Sequence, residues 1–117
     1  LFVAATRGGA LAVGADPEPW AQVGRRLGQA YQVADDLLDA HATEEMAGKP
    51  THQDTSFDRP SAVTRLGTAG ALALLRELVT DAADAVPPCA GQDELRGLVV
   101  QIASRLVPPS LEQTVAA

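Results

Sequence analysis

Every one of the eight prolines in this chain stands at or beyond the end of a stretch with helical hydrophobic periodicity, and that placement constrains the fold more than any other feature. Proline lacks an N–H and clashes with the preceding turn, so it opens or closes a helix and is excluded from its interior. Pro17 and Pro19 follow a first apolar stretch, Pro50 and Pro60 lie in a polar one, and the pairs at 87–88 and 108–109 close two more. Between these marks apolar residues recur three and four positions apart. Hydrophobic residues make up 46% of the chain but aromatics only 3%, and Ala, Leu and Val dominate, which favours packed helices over sheet. The reading is an all-α chain of about five helices, with residues 1–117 as part of one domain.

The first helix is expected over 1–13, small-residue and apolar, with Gly8, Gly9 and Ala10 allowing a neighbour to approach closely. A second should run from about Pro19 to about Ala40, capped by Asp16 or a residue near it, with Pro17 or Pro19 in its first turn. Leu27, Ala30, Val33, Ala34, Leu37 and Leu38 look like its core face, whereas Gly24 and Gly28 leave room for a ligand or another backbone. Residues 41–60 read as a long polar loop, and loops of that length in compact domains are usually functional. A short helical piece over 61–66 precedes a helix over 68–86 with Leu72, Leu75, Leu78, Val79 and Ala82 inward. The last helix spans about 92–107, with Leu95, Leu98, Val99, Ile102 and Leu106 inward.

Net charge of −6 argues against a general nucleic-acid or anionic-membrane surface. Cys89 is the single cysteine, which excludes an internal disulfide and a thiolate metal cluster and fits a cytoplasmic setting. No apolar run reaches the length of about 18 residues that a membrane helix needs. The chain opens on Leu1, which suggests a fragment or trimmed polypeptide.

Chemistry concentrates in GQAYQVADDLLD, residues 28–39. On a helix Gln32, Asp35, Asp36 and Asp39 fall in one stripe, so three carboxylates would point at one volume, near the negative end of the helix dipole if the helix stops soon after Asp39. Like charges four apart cost about 0.2–0.5 kcal/mol per pair, and aspartate is a poor residue inside helices. A divalent cation would remove the penalty. Taken alone, however, the same trio also describes a solvated acidic face. Downstream come Lys49, Asp54 and Arg59. Magnesium takes oxygen ligands, usually one or two carboxylates, and fills its octahedron with water and substrate phosphate. Lys49 as a point charge and Arg59 as a bidentate donor suit that phosphate. His41 and His52 lack a partner at zinc-ligand spacing. An EF-hand is excluded because Leu37 and Leu38 stand where oxygen ligands are required. Cys89, in PPCAG, reads as a turn residue, and Trp20 as an anchor to the fold.

The runs LFVAATRGGALAVG, GRRLGQAYQVADDLLDA and GKPTHQDTSFDRPSA together resemble the C-terminal half of the trans-type polyprenyl diphosphate synthases, with DDLLD as the second aspartate-rich motif. AYQVADD, GKP and PPCAG are most similar to bacterial geranylgeranyl diphosphate synthases of carotenoid and photosynthetic-pigment pathways. The resemblance implies an antiparallel helical bundle of the isoprenoid synthase type, a homodimer when full length, and Mg2+ as cofactor. It implies that Asp35 binds the metal directly, that Asp36 and Asp39 hold its waters or neighbouring shell, and that Asp54 supports from further out. Lys49 and Arg59 would contact the diphosphate, Gln32 would set its amide oxygen near an allylic cation, and Tyr31 would lie beside the reacting carbons. Most relatives have a Gly-Lys pair where this chain has Asp58 and Arg59. The implied reaction condenses an allylic prenyl diphosphate with isopentenyl diphosphate to give a longer prenyl diphosphate, and the helix over 1–13 could wall the tunnel for the growing chain. No first aspartate-rich motif precedes DDLLD, so the expectation is that this polypeptide alone is inactive. A non-catalytic subunit that binds a prenyl diphosphate or a partner enzyme is the competing reading.

Overall fold

The computed structural model describes residues 1–45 and 61–107. Among these residues there are four helices and no strand: α1 (Phe2–Ala12), α2 (Pro17–Glu45), α3 (Ala62–Asp84) and α4 (Gln92–Ser104). The all-α expectation holds. The two helical pieces expected on either side of position 67 are both present, joined as one element across a break at Gly67, where φ is 75° and ψ is 171°. That backbone region is essentially open to glycine alone.

α2 begins two residues earlier than expected, at Pro17, because the Asp16 side chain accepts the amide of Glu18 at 3.1 Å and proline at the first helical position sacrifices no bond. Its other end corrects the sequence reading more substantially. The helix continues through His41 to Glu45, where a loop was expected. Ala40, Ala42, Glu44 and Glu45 are compatible with a helix, and no glycine or proline occurs between Gly28 and Gly48. Asp39 therefore lies well inside the helix, and the dipole penalty, which is confined to the last turn, does not act on the acid cluster.

Two buried clusters hold the chain together. Ala30, Val33, Ala34 and Leu37 of α2 meet Ala62, Ala71, Leu72, Leu75 and Leu78 of α3. Val23 and Leu27, nearer the start of α2, meet Ala82 and Ala83 at the end of α3, Val86 just beyond it and Val99 of α4. The pairing of early with late residues makes α2 and α3 antiparallel. Trp20 packs against the second cluster, as its reading as an anchor implied. α4 returns along α3 and is fixed at its start by two side chains that satisfy carbonyls at the end of α3. Arg96 Nε donates to the carbonyl of Ala83 at 3.3 Å, and Gln92 Nε2 donates to that of Val86 at 3.0 Å.

The apolar faces are narrower than periodicity alone indicated. On α4 Val99 and Ala103 are buried, while Leu98 and Ile102, expected inward, are 48% and 42% exposed. The contact stripe runs through positions 95, 99, 103 and 106, and 98 and 102 fall on its flank. Leu38 of α2 is likewise turned outward. α1 lies against α2 with Ala10 as its one buried residue. The close approach is made at Gly24, not at Gly8 or Gly9, whose surroundings are open. A Cβ on Gly24 would stand 2.6 Å from Thr6 Oγ1 and 2.7 Å from both the carbonyl oxygen of Phe2 and the Cα of Val3. An exposed ion pair, Arg7 to Glu18 at 3.1 Å, adds little to this junction. No described helix is long and apolar enough to cross a membrane.

Candidate functional site

Adjacent positions on a helix are about 100° apart, so Asp35 and Asp36 leave α2 in different directions. Asp36, half-buried, faces α3. Its Oδ1 accepts from Gln32 Nε2 at 3.4 Å, and its Oδ2 accepts the backbone amide of Ala62 at 3.2 Å. Ala62 opens α3, where Ser61 and Thr64 form a reciprocal capping box: the Thr64 amide donates to Ser61 Oγ at 3.1 Å and the Ser61 amide to Thr64 Oγ1 at 2.8 Å. The start of α3 is thereby held against the acid cluster.

Asp35 is exposed and has no hydrogen bond or ion pair with another described residue. It lines a pocket of about 140 Å³ with Tyr31, Ala34, Leu38, Arg105 and Leu106. A carboxylate, a phenol and a guanidinium thus share one rim above an apolar floor. Arg105 went unremarked in the sequence reading. Chain order held the signal: with antiparallel neighbours, α2 and α4 end on the same side, so a base just past α4 falls near the acids of α2. On the adjoining face, Gln32 borders a shallow groove of about 330 Å³ between α1 and α2, lined also by Phe2, Gly24, Arg25, Gly28 and Gln29. Tyr31 stands between the two depressions and packs its ring on Phe2, with centroids 5.5 Å apart and planes at 44°.

Asp39 is exposed on the same helix. The stripe of Gln32, Asp35, Asp36 and Asp39 exists, but its carboxylates do not gather into one volume as the spacing suggested. Among the described residues no group of three histidine, cysteine, aspartate or glutamate side chains is placed to hold a metal ion. Lys49, Asp54 and Arg59 lie outside the described residues, as does His52. Cys89 is exposed in the turn between α3 and α4.

The donor set is all carboxylate oxygen, which selects a hard cation such as Mg2+ over zinc or copper. Asp35 is exposed and has no bond to another described residue, which leaves its carboxylate available to an ion. One or two protein carboxylates suffice for an ion that completes its shell with water and phosphate, so the arrangement fits magnesium better than a closed protein cage.

The chain belongs to the polyprenyl synthetase family, whose model matches residues 1–85. It is 44% identical over 108 residues to a geranylgeranyl diphosphate synthase of Cereibacter sphaeroides, covering 92% of this chain and 38% of that protein. It is 41% identical over 115 residues to a geranylgeranyl diphosphate synthase of Rhodobacter capsulatus, covering 97% of this chain and 40% of that protein. A farnesyl diphosphate synthase of Micrococcus luteus is 30% identical over 84 residues, 71% of this chain and 29% of its own length. The chain thus spans about two fifths of the length of the first two curated relatives. No solved structure matches it.

Proposed function

We propose that this chain supplies the second metal and diphosphate half-site of a prenyltransferase that joins an allylic prenyl diphosphate to isopentenyl diphosphate, with geranylgeranyl diphosphate as product. The observation that carries the reading is Asp35, exposed and unengaged by other described groups, on the same pocket rim as Arg105 in a chain that matches the family over residues 1–85. The product is the one for which the two similar geranylgeranyl diphosphate synthases are named.

Asp35 would hold Mg2+, with Asp36 and Asp39 in the surrounding shell and Asp54 beyond. When bound, the ion supplies Lewis-acid neutralisation of the diphosphate charge. The chain's own bases do the rest of that work. Arg105, with Lys49 and Arg59, would stabilise the negative charge that grows as the allylic C–O bond breaks and the electron pair leaves with diphosphate. Preorganised charge of this kind contributes on the order of 10²–10³ in rate per group. The double bond of isopentenyl diphosphate then attacks the allylic carbon, and loss of one proton from the resulting cation restores an alkene. The amide oxygen of Gln32 and the ring of Tyr31 would face that transient positive charge, the ring through its π-face. The working protein is proposed to be a cytoplasmic homodimer.

The test uses the complete protein that carries this chain, incubated with Mg2+, isopentenyl diphosphate and allylic primers of increasing length, with products separated by mass. A C20 diphosphate that disappears in Asp35→Asn, with helicity retained, is the expected result. Equal turnover in that variant would remove the proposed site, and absence of any prenyl product in the unaltered protein would favour a non-catalytic subunit.

A further inference from the structure

We infer that Asp36 is the positioning residue of the acid cluster: its carboxylate fastens the first turn of α3 to α2 and so sets where the chain returns beside Asp35. The anchoring stands on geometry alone, and its effect on turnover rests on the function proposed above.

Both oxygens of Asp36 are engaged, one by Gln32 on its own helix and one by Ala62 across the bundle. The amides of a helix's first turn have no acceptor within the helix. Here Ser61 Oγ takes the amide of Thr64, and Asp36 takes that of Ala62. Ala62 is 3% exposed and belongs to the buried cluster, so its N–H would otherwise be a costly group to leave unpaired. A carboxylate also complements the positive end of the helix dipole. The break at Gly67 gives the contact its importance. It separates the first turn of α3 from the longer stretch that carries Ala71, Leu72 and Leu75, so that turn is placed by its own core residues, Ala62 and Val63, together with the side-chain tie from α2. Asp35, exposed and without such ties, remains for metal and substrate, and the two neighbouring acids divide the tasks of ligation and placement.

Charge and hydrogen bonding are separable at this position, so Asp36→Asn and Asp36→Ala must behave differently. Asparagine keeps an oxygen of the same reach for the Ala62 amide, and alanine keeps none. In this chain without substrate, amide exchange at Ala62 should quicken at least tenfold in Asp36→Ala, with Leu72 and Leu75 unchanged, and return most of the way in Asp36→Asn. In the complete protein, Asp36→Ala should raise KM for the diphosphate substrate about tenfold and move the magnesium midpoint less than Asp35→Asn does. Asp36→Asn should recover most of that loss, whereas Asp35→Asn should shift the magnesium midpoint. Unaltered Ala62 exchange in Asp36→Ala would overturn the anchoring, and a magnesium midpoint displaced in Asp36→Asn as far as in Asp35→Asn would overturn the division of tasks. A complete protein that makes no prenyl product defeats the proposed reaction, and the exchange measurement then decides the anchor independently.

Discussion

Replacing Gly24 by alanine tests the packing of α1 on α2 with a sign that helix propensity alone would get wrong. Alanine is the better helix former by about 1 kcal/mol, so an unobstructed glycine inside a helix should be stabilised by the change. At Gly24 the added Cβ would meet three atoms at 2.6–2.7 Å, against 3.4–4 Å for ordinary contact, and two of the three belong to the backbone of α1. Neither backbone atom can rotate away, so the helices must separate by roughly 0.7 Å or more if contacts of this kind are to be relieved. Overpacking of this kind costs about 1–3 kcal/mol. Set against the propensity gain, a net destabilisation of up to about 2 kcal/mol is expected. Gly97→Ala is the matched control, since nothing lies within 4 Å of its Cβ position in α4, and it should raise stability by up to about 1 kcal/mol. Urea unfolding of the chain, followed by far-ultraviolet circular dichroism, reads both variants. A Gly24→Ala chain stabilised as much as Gly97→Ala would mean that α1 is not seated as described.

Removing the capping hydroxyl in Ser61→Ala should cost about 1 kcal/mol in the same unfolding experiment, and no loss would show that the reciprocal bonds with Thr64 contribute nothing. Leu37→Ala, at a residue 2% exposed, should cost about 2–5 kcal/mol, and a change below 1 kcal/mol would place that side chain outside the core. In the complete protein, Arg105→Gln should weaken inhibition by inorganic diphosphate about tenfold, an effect of the size expected for a charge-assisted contact. Unchanged inhibition there would reduce Arg105 to a neighbour of the site.

The sequence was most informative where one physical rule operated alone. Proline and glycine punctuation located the breaks between helices, and the division expected around position 67 is where the backbone of Gly67 departs from the helix. The inward residues of α3, Leu72, Leu75, Leu78 and Ala82, were legible because a single wide stripe faces one partner. The end of α2 was not, because polar residues that suggest a loop continue the helix to Glu45. Leu98 and Ile102 were misplaced since periodicity gives the centre of an apolar face but not its width. In the site, spacing put the acids on one side of α2, yet it could not reveal that a backbone amide from α3 occupies Asp36. Arg105 needed knowledge of which helix ends meet.

The left-handed joint at Gly67 gives α3 two axes instead of one. A side chain would find space there, with nothing within 4 Å of a Cβ, and yet the backbone angle would penalise it. Straightening the joint would send the opening turn along the line of the longer segment and draw Ala62 off its carboxylate tether. The geometry around the acids therefore depends on a residue with no side chain, some five positions further along the chain, whose only contribution is a bend.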